Sequence, residues 1–297
     1  MALIGCQTPP AVVAPPPLPP PPAPPALLPP PPPPPPPPPR PPRLGLALGG
    51  GAARGVAHIG VIQVLEEAGI RADLVVGTSA GSLVAALYAS GKTGAELAAV
   101  ALTLDEGAIT DWAYPSRGLI RGEALARFVR EQSGGKAIEQ MKLRLGIVAT
   151  DLDSGAPILF ERGDTGQAVR ASSAVPAIYQ PVKIGSREYV DGGLVSPVPV
   201  RFARQMGAEM VIAVDISSPP EGNDTGDMLR LLLQTFAIMG KSINRFELRD
   251  ADVVVRPVLV GVGSADFNSR VRALRAGREA ATQMLPEIKA KLASLAR

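Results

Sequence analysis

Eleven consecutive prolines, Pro29–Pro39, restrict what this chain can fold into more than any other feature of its sequence. Proline has no backbone N–H and its φ stays near −65°, so the run favours a stiff polyproline II rod over a helix or a sheet. Residues 1–43 hold 24 of the 34 prolines. We therefore expect a disordered proline-rich tail over residues 1–43 and one folded domain over residues 44–297.

The tail has the composition of a spacer, and at about 3.1 Å per residue it reaches on the order of 100 Å. A binding site for proline-recognising domains is the alternative. Before the spacer, Leu3-Ile4-Gly5-Cys6 has the form of a bacterial lipobox, in which the cysteine receives lipid. Only five residues without Lys or Arg precede Cys6, too few for a signal peptide. Two expectations stay open: a lipid-anchored protein at a bacterial membrane whose start lies upstream, or a cytoplasmic protein with a chance match.

The charge and the reactive side chains exclude several classes of protein. Arg40 and Arg43 are two of the 30 basic residues, so residues 44–297 carry 28 bases against 27 acids. Such a near-neutral domain is not typical of nucleic-acid binding. The single cysteine excludes an intrachain disulfide and a cysteine-based zinc or iron–sulfur site. The single histidine, His58, excludes poly-histidine metal sites and argues against a Ser-His-Asp triad.

From Leu44 onward, short apolar runs alternate with helical patterns, which predicts a mostly parallel sheet with helices on both faces. The predicted strands are Leu44–Leu48, Leu74–Val76, Arg144–Ala149, Pro157–Glu161, Val182–Ile184, Glu188–Val190, Met210–Asp215 and Val253–Pro257. The predicted helices are Val56–Ala68, Ser82–Ala89, Ala95–Leu104, Gly122–Glu131, Pro199–Met206, 227–249 and 268–295. The uncharged stretch Leu74–Gly91 has the length of a membrane span, but the small residues at its centre favour a buried strand, a turn and a helix.

The motif with the clearest chemical meaning is Gly77-Thr78-Ser79-Ala80-Gly81, a G-x-S-x-G between a predicted strand and a predicted helix. At such a corner a serine occupies a strained turn with its hydroxyl exposed, and a Cβ on either glycine would collide with the neighbouring strand or helix. The N–H of Ala80, at the start of the helix, is placed to face an oxyanion. A turn with a helix-capping serine is the alternative interpretation.

A glycine-rich loop, Gly49–Gly55, follows the first predicted strand and opens the first helix. A dinucleotide site requires a different glycine spacing and an acid at the end of the next strand, where this chain has Ser79. The other chemistry that needs small residues here is an oxyanion hole built from backbone N–H groups. Because this loop adjoins the predicted strand that leads to Ser79, the oxyanion hole is the favoured interpretation.

A serine nucleophile needs a base. His58 precedes Ser79, whereas the α/β-hydrolase order places the histidine last, so we expect a packing or capping role for it. Asp191 ends a predicted hairpin strand and is followed by Gly192-Gly193, which lets another segment approach the carboxylate. Asp191 is therefore the candidate base.

From Leu44 to the C-terminal helices, the chain resembles the patatin-like phospholipases in their smaller bacterial form. The resemblance rests on Gly50–Gly55, on the motif around Ser79 and on Asp191-Gly192-Gly193. Weaker matches are Ala149-Thr150-Asp151-Leu152 and Ala171-Ser172-Ser173-Ala174-Val175-Pro176. Ala52 departs from the family, many of whose members have a third glycine there.

The resemblance implies a three-layer α/β/α fold and a lipid acyl hydrolase that uses no metal or cofactor. Ser79 would be the nucleophile and Asp191 the proton acceptor. Gly50, Gly51 and Ala52, with Ala80, would supply oxyanion N–H groups. Arg54 resembles a basic position of the family, with a helix-surface charge as the alternative. The implied partners are a lipid or acyl-ester substrate and a membrane surface; a catalytically decayed, membrane-tethered lipid-binding or scaffold module is the competing hypothesis.

One further segment, residues 228–240, is apolar on nearly all sides of a predicted helix. A helix that is apolar all round is usually buried, so we expect a core helix over the sheet. The alternative is a substrate-entry helix that touches lipid.

Overall fold

The computed structural model describes residues 40–113, 117–221, 225–263 and 267–296. The predicted tail and tether, with Cys6 and the proline run, lie outside these residues and stay predictions. At the start of the described part, the Arg40 guanidinium pairs with both carboxylate oxygens of Glu209, at 2.8 and 2.9 Å, and the N–H of Arg43 donates to the same carboxylate.

The strands and helices follow the predicted alternation, with every predicted boundary within two residues of the observed one. The strands are β1 (Leu44–Leu48), β2 (Leu74–Thr78), β3 (Gly118–Ile120), β4 (Arg144–Asp151), β5 (Pro157–Phe160), β6 (Ala177–Tyr179), β7 (Val182–Ile184), β8 (Arg187–Asp191), β9 (Met210–Val214) and β10 (Val253–Val255). The helices are α1 (Val56–Glu67), α2 (Ala80–Ala89), α3 (Gly94–Thr103), α4 (Glu123–Gln132), α5 (Thr165–Ser172), α6 (Val200–Gln205), α7 (Met228–Glu247) and α8 (Arg270–Leu295).

The main sheet has the strand order β10-β9-β1-β2-β4-β8-β7, with β5 also paired to β4. The five strands from β10 to β4 are mutually parallel, whereas β5, β8 and β7 add antiparallel pairs around β4. The prediction of a mostly parallel sheet is confirmed. A second, two-stranded sheet of β3 and β6 was not predicted, because these two short parallel strands lie far apart in the sequence and have no hairpin turn of the kind that marks β7 and β8.

Both faces of the sheet are covered. Leu46 and Leu48 of β1 pack into a core cluster shared with α1, α2, α3, α4 and α8. Ala47, on the opposite side of the same strand, packs into a second cluster with α6. The three-layer α/β/α arrangement is therefore confirmed, and it explains why the central strands are buried along their whole length.

Strand β1 and strand β2 are neighbours, and both run in the same direction, so their carboxyl ends meet at one edge of the sheet. The loop that follows β1 and the turn that follows β2 lie side by side there. In open α/β sheets this edge is where ligands bind.

Candidate active site

Ser79 lies between the last residue of β2 and the first residue of α2, as the motif predicts. Its backbone has φ 53° and ψ −124°, a region that residues other than glycine rarely occupy. Such strain persists only where the surrounding structure enforces it, and it is concentrated at functional sites. The side chain of Ser79 is half-buried and lines a cavity.

The two glycines of the motif allow β2, α2 and the end of β1 to approach closely. A Cβ on Gly77 would lie 2.3 Å from the carbonyl oxygen of Gly81, and one on Gly81 would lie 2.1 Å from the carbonyl oxygen of Leu48. Both contacts are far inside van der Waals distance and both involve backbone atoms. The prediction that a side chain at either position would collide with its neighbours is confirmed.

Two buried hydroxyls hold the strained turn from outside the motif. The N–H of Ser79 donates to Oγ of Ser172 at 2.8 Å, and that hydroxyl donates to the carbonyl of Val148 at 2.5 Å. Oγ of Ser82 donates to the carbonyl of Ser79 at 2.6 Å. Sequence reasoning assigned no role to Ser172, although it lies in one of the weaker family-like segments.

The glycine-rich loop lies against Ser79, and its backbone N–H groups differ in whether they already have a hydrogen-bond partner. The N–H of Gly50 donates to the carbonyl of Pro197 at 2.9 Å. The expectation that this N–H faces an oxyanion is therefore wrong in this structure, since its hydrogen is already used. Gly50 instead provides clearance, because a Cβ there would lie 3.2 Å from Cβ of Ser79.

The N–H groups of Gly51, Ala52 and Ala80 make no hydrogen bond to any residue that the structure describes. Ala52 has a φ of 52°, in the left-handed region that favours glycine. This is the position where many patatin-like proteins have a third glycine. The alanine is accommodated at the expense of backbone strain.

Asp191 is the last residue of β8, where it pairs with Ala149 of β4. Its Oδ1 accepts a hydrogen bond from the N–H of Gly193 at 2.6 Å, which uses the tight turn that the two glycines allow. Its Oδ2 is buried without a hydrogen-bond partner among the described residues. Burial raises the pKa of Asp191 to about 6. The nearby Ser79 hydroxyl has the opposite effect and lowers this pKa.

Arg54 is buried, so of the two roles considered for it the alternative of a helix-surface charge is wrong. Its Nε donates to the carbonyl of Gly51 at 3.2 Å and its guanidinium hydrogen-bonds to the hydroxyl of Ser218. Burial lowers the pKa of Arg54. The side chain both holds the glycine-rich loop and places a positive charge at the wall of the cavity.

His58 has the packing role expected of it. The ring is fully buried in α1 and donates from Nε2 to the carbonyl of Gly49 at 2.8 Å. Burial lowers its pKa to about 4, so the ring is neutral at pH 7. His58 thus supports the end of β1 and does not line the cavity around Ser79.

The cavity around Ser79 has a volume of about 430 Å3. One wall comes from the glycine-rich loop with Arg54 and from the segment around Asp191, and the facing wall comes from α7. The residues that α7 contributes are Arg230, Leu233, Gln234, Phe236, Ala237, Gly240 and Lys241.

Helix α7 is not the core helix that its apolar sequence predicts. Only Asn244 and Glu247, at its C-terminal end, are buried. Its exposed apolar side chains are Met228, Leu229, Leu231, Leu233, Ile238, Met239 and Phe246. Leu231 and Ile238 are 56% and 52% exposed, and their spacing of seven residues places them on one face of the helix.

Two other features bear on cofactors and membranes. In the described ranges, no group of three or more His, Cys, Asp or Glu side chains is arranged to hold a metal ion. Likewise, none of the helices the structure describes is both long and apolar enough to cross a membrane.

Comparison with known proteins gives matches over most of the folded part. The family model for patatin-like phospholipases matches residues 46–204. An uncharacterized NTE family protein of Mycobacterium tuberculosis is 36% identical over 215 residues, which are 69% of this chain and 59% of that protein. Patatin-like phospholipase domain-containing protein 6 of Mus musculus is 36% identical over 187 residues, 60% of this chain and 14% of that protein. The chain thus spans less than two thirds of the length of these relatives.

Among solved structures, VipD from Legionella pneumophila is similar in fold. The match has a TM-score of 0.50 at 13% sequence identity and covers 82% of this chain and 67% of that one.

Proposed function

The chain belongs to the patatin-like phospholipase family, and from this we propose that it is a serine lipid acyl hydrolase with Ser79 as nucleophile and Asp191 as proton acceptor. The observation that carries the proposal is the placement of Ser79 on a strained turn, in one cavity with a buried carboxylate of raised pKa. Strained backbone and a perturbed pKa together are typical of catalytic sites.

In the acylation step, Oγ of Ser79 attacks the ester carbonyl while Asp191 accepts the hydroxyl proton. A tetrahedral intermediate forms, and its negative oxygen faces the N–H groups of Gly51, Ala52 and Ala80, which have no partner in the described structure. Asp191 then returns the proton to the leaving alcohol, and the acyl group stays on Ser79 as an ester.

In the deacylation step, a water molecule attacks the acyl-Ser79 carbonyl and loses its proton to Asp191. The same N–H groups stabilise the second tetrahedral intermediate. Collapse releases the carboxylic acid and restores the Ser79 hydroxyl, which takes the proton back from Asp191.

A carboxylate can act as the base of such a dyad only if it is basic enough to accept the proton and is still ionised at the pH of the reaction. Burial raises the pKa of Asp191 to about 6, so it is a stronger base than an exposed aspartate and is still ionised at pH 7. Much of the remaining rate enhancement must come from the oxyanion N–H groups, where the loss of one donor typically costs about 10²–10³ in rate.

The test is covalent labelling of the folded chain with a fluorophosphonate probe, followed by mapping of the labelled peptide. We expect a single label on Ser79, no label in Ser79→Ala, and loss of short-ester hydrolysis in both Ser79→Ala and Asp191→Asn. Ser90→Ala is the matched control, because Ser90 is a buried serine that directly follows α2 and whose Oγ donates to the carbonyl of Leu87. Full activity of Ser79→Ala would overturn the proposal.

The competing hypothesis, a decayed lipid-binding or scaffold module, gives a different result in the same experiment. Folded wild-type protein would then remain unlabelled and hydrolyse no ester, while still binding lipid vesicles. The retained Ser79, Asp191 and free N–H groups favour catalysis over this alternative.

We further propose that α7 contacts a lipid surface during substrate entry. Its outer face exposes Leu231 and Ile238, and Arg245 is an exposed cation of the same helix. Exposed apolar residues together with basic side chains are typical of interfacial helices on anionic lipid. Leu231→Glu with Ile238→Glu should abolish binding to vesicles that contain phosphatidylglycerol. Val271→Glu, an equally exposed apolar position on α8, is the control; equal vesicle binding by both proteins would contradict the proposal.

The location of the protein is a separate proposal. If Cys6 carries lipid, the proline-rich tail tethers the catalytic domain to a bacterial membrane, and at least two acyl chains are needed for stable anchoring. Expression of the gene with its upstream in-frame codons, followed by cell fractionation and intact mass, tests this. Soluble protein with unmodified Cys6 would favour the cytoplasmic alternative.

A further inference from the structure

A second cavity lies beside the glycine-rich loop, and no residue of α7 contributes to its described lining. Its volume is about 80 Å3, and its walls come mainly from the glycine-rich loop and from α1, α2 and α3, with Phe128 from α4. Apolar side chains that line it include Leu83, Leu97, Val100, Ala101 and Phe128. Among the described residues of its lining, Arg270 is the one that is charged, and its guanidinium donates to the carbonyl of Leu104 at 2.7 Å.

Small residues lie between this cavity and the candidate active site. Ala52, an oxyanion-loop residue, lines both cavities, and Ala80, which directly follows Ser79, lines the second one. Where the loop passes α2, a Cβ on Gly55 would lie 3.0 Å from Cβ of Ala80, so only methyl-sized groups separate the two segments. The apolar space therefore begins beside the position where the ester carbonyl carbon would bond to Ser79.

An ester has an acyl chain on one side of its carbonyl carbon and an alcohol part on the other. The linings of the two cavities suit different parts of such a molecule. The larger one contains Arg54, Ser218 and Lys241, which suit the polar alcohol part of a lipid, beside apolar side chains that include Leu194, Leu233 and Phe236. The smaller one offers a polar group almost no partners, so only a hydrocarbon chain enters it without loss of hydrogen bonds.

We propose that the second cavity binds the acyl chain and selects its length, an inference that rests on the proposed function. An apolar protein cavity of about 150 Å3 holds benzene, so one of about half that volume has room for about three carbon atoms beyond the carbonyl. The substrate class is therefore a short-chain acyl ester with a polar alcohol part. Each methylene buried there raises kcat/KM by roughly fourfold, until the cavity is full.

The test is kcat/KM for p-nitrophenyl esters from acetate to octanoate. For the wild-type protein we expect butanoate to exceed acetate by roughly fifteenfold, with a decline for longer chains. Ala101→Leu fills the cavity and should reduce the butanoate-to-acetate ratio to near one while acetate turnover is kept. Ala99→Leu, the same change on the exposed face of α3, should behave as the wild type. Phe128→Ala enlarges the cavity and should raise octanoate relative to butanoate at least tenfold.

The outcomes separate the two proposals. Unchanged ratios in folded Ala101→Leu and Phe128→Ala, with normal acetate turnover, contradict the acyl-chain cavity and leave the hydrolase intact. Absence of turnover on every ester, acetate included, contradicts the proposed function and the inference with it. Thermal melting of each variant identifies any that fail to fold, and Phe128→Ala then tests the same prediction in the opposite direction from Ala101→Leu.

Discussion

The backbone N–H of Ser79 is bonded to the hydroxyl of Ser172, a residue 93 positions further along the chain. Because Ser172 also donates to the carbonyl of Val148 in β4, one hydroxyl joins the turn at Ser79 to the neighbouring strand. The strained conformation of Ser79 is thus maintained from α5 and not by the G-x-S-x-G motif alone.

Ser172→Ala should therefore weaken both stability and turnover. The N–H of Ser79 and the carbonyl of Val148 lose their partner, which costs about 1–3 kcal/mol of unfolding free energy. Small displacement of the nucleophile should lower kcat about tenfold with little change in KM. Urea unfolding and steady-state kinetics measure the two effects. Ser173→Ala, at the half-buried next position, is the control, and an unchanged kcat in Ser172→Ala would contradict the positioning role.

The pH dependence of activity should follow Asp191. Its pKa of about 6 lies above the usual aspartate value because of burial, and the carboxylate must be ionised to accept a proton. We expect kcat/KM to rise with pH and to reach half its maximum near pH 6. A profile between pH 4.5 and 8 measures this. A midpoint near pH 4 would show that Asp191 is not the group that titrates in the reaction.

Asp191→Asn should stabilise the protein, and more so at high pH. In the wild type the folded-state pKa exceeds the unfolded one, so stability is lost as pH rises from about 4 to about 6 and stays lower above that. A shift of about two units corresponds to roughly 3 kcal/mol as an upper bound. The amide carries no charge and avoids this loss. The difference in unfolding free energy between the two proteins should be larger at pH 8 than at pH 4.5. An equal difference at the two pH values would refute the raised pKa of Asp191.

Ala52→Gly should relieve backbone strain in the oxyanion loop. Ala52 has a φ of 52°, and the left-handed region costs a residue with a Cβ about 1–2 kcal/mol. After the entropy loss of glycine is subtracted, we expect a gain of up to about 1 kcal/mol in unfolding free energy. Ala53→Gly, at an adjacent buried alanine without positive φ, should be destabilising. If both substitutions destabilise equally, strain at Ala52 is not the cause.

Several features followed from the sequence because they depend on a few neighbouring residues. The alternation of strands and helices, and the turn at Ser79 between them, are visible in local patterns of apolar and small residues. The same is true of Asp191 at the end of its hairpin strand, where two glycines signal a tight turn. Short-range patterns determine such elements because backbone preference and amphipathic period act over a few residues.

Tertiary structure decided which groups are free to act. The N–H of Gly50 is used by the carbonyl of Pro197, and Ser172 supports Ser79; neither pairing leaves a trace in the local sequence. Arg54 is buried and α7 is exposed, the reverse of what a charged residue and an apolar helix suggest by themselves. Burial depends on which distant segments pack over a residue, and hydrogen-bond partners depend on which strands become neighbours. The sequence by itself predicted the candidate nucleophile, the candidate base and the layered fold, whereas only long-range packing decided how the site around them is held and opened.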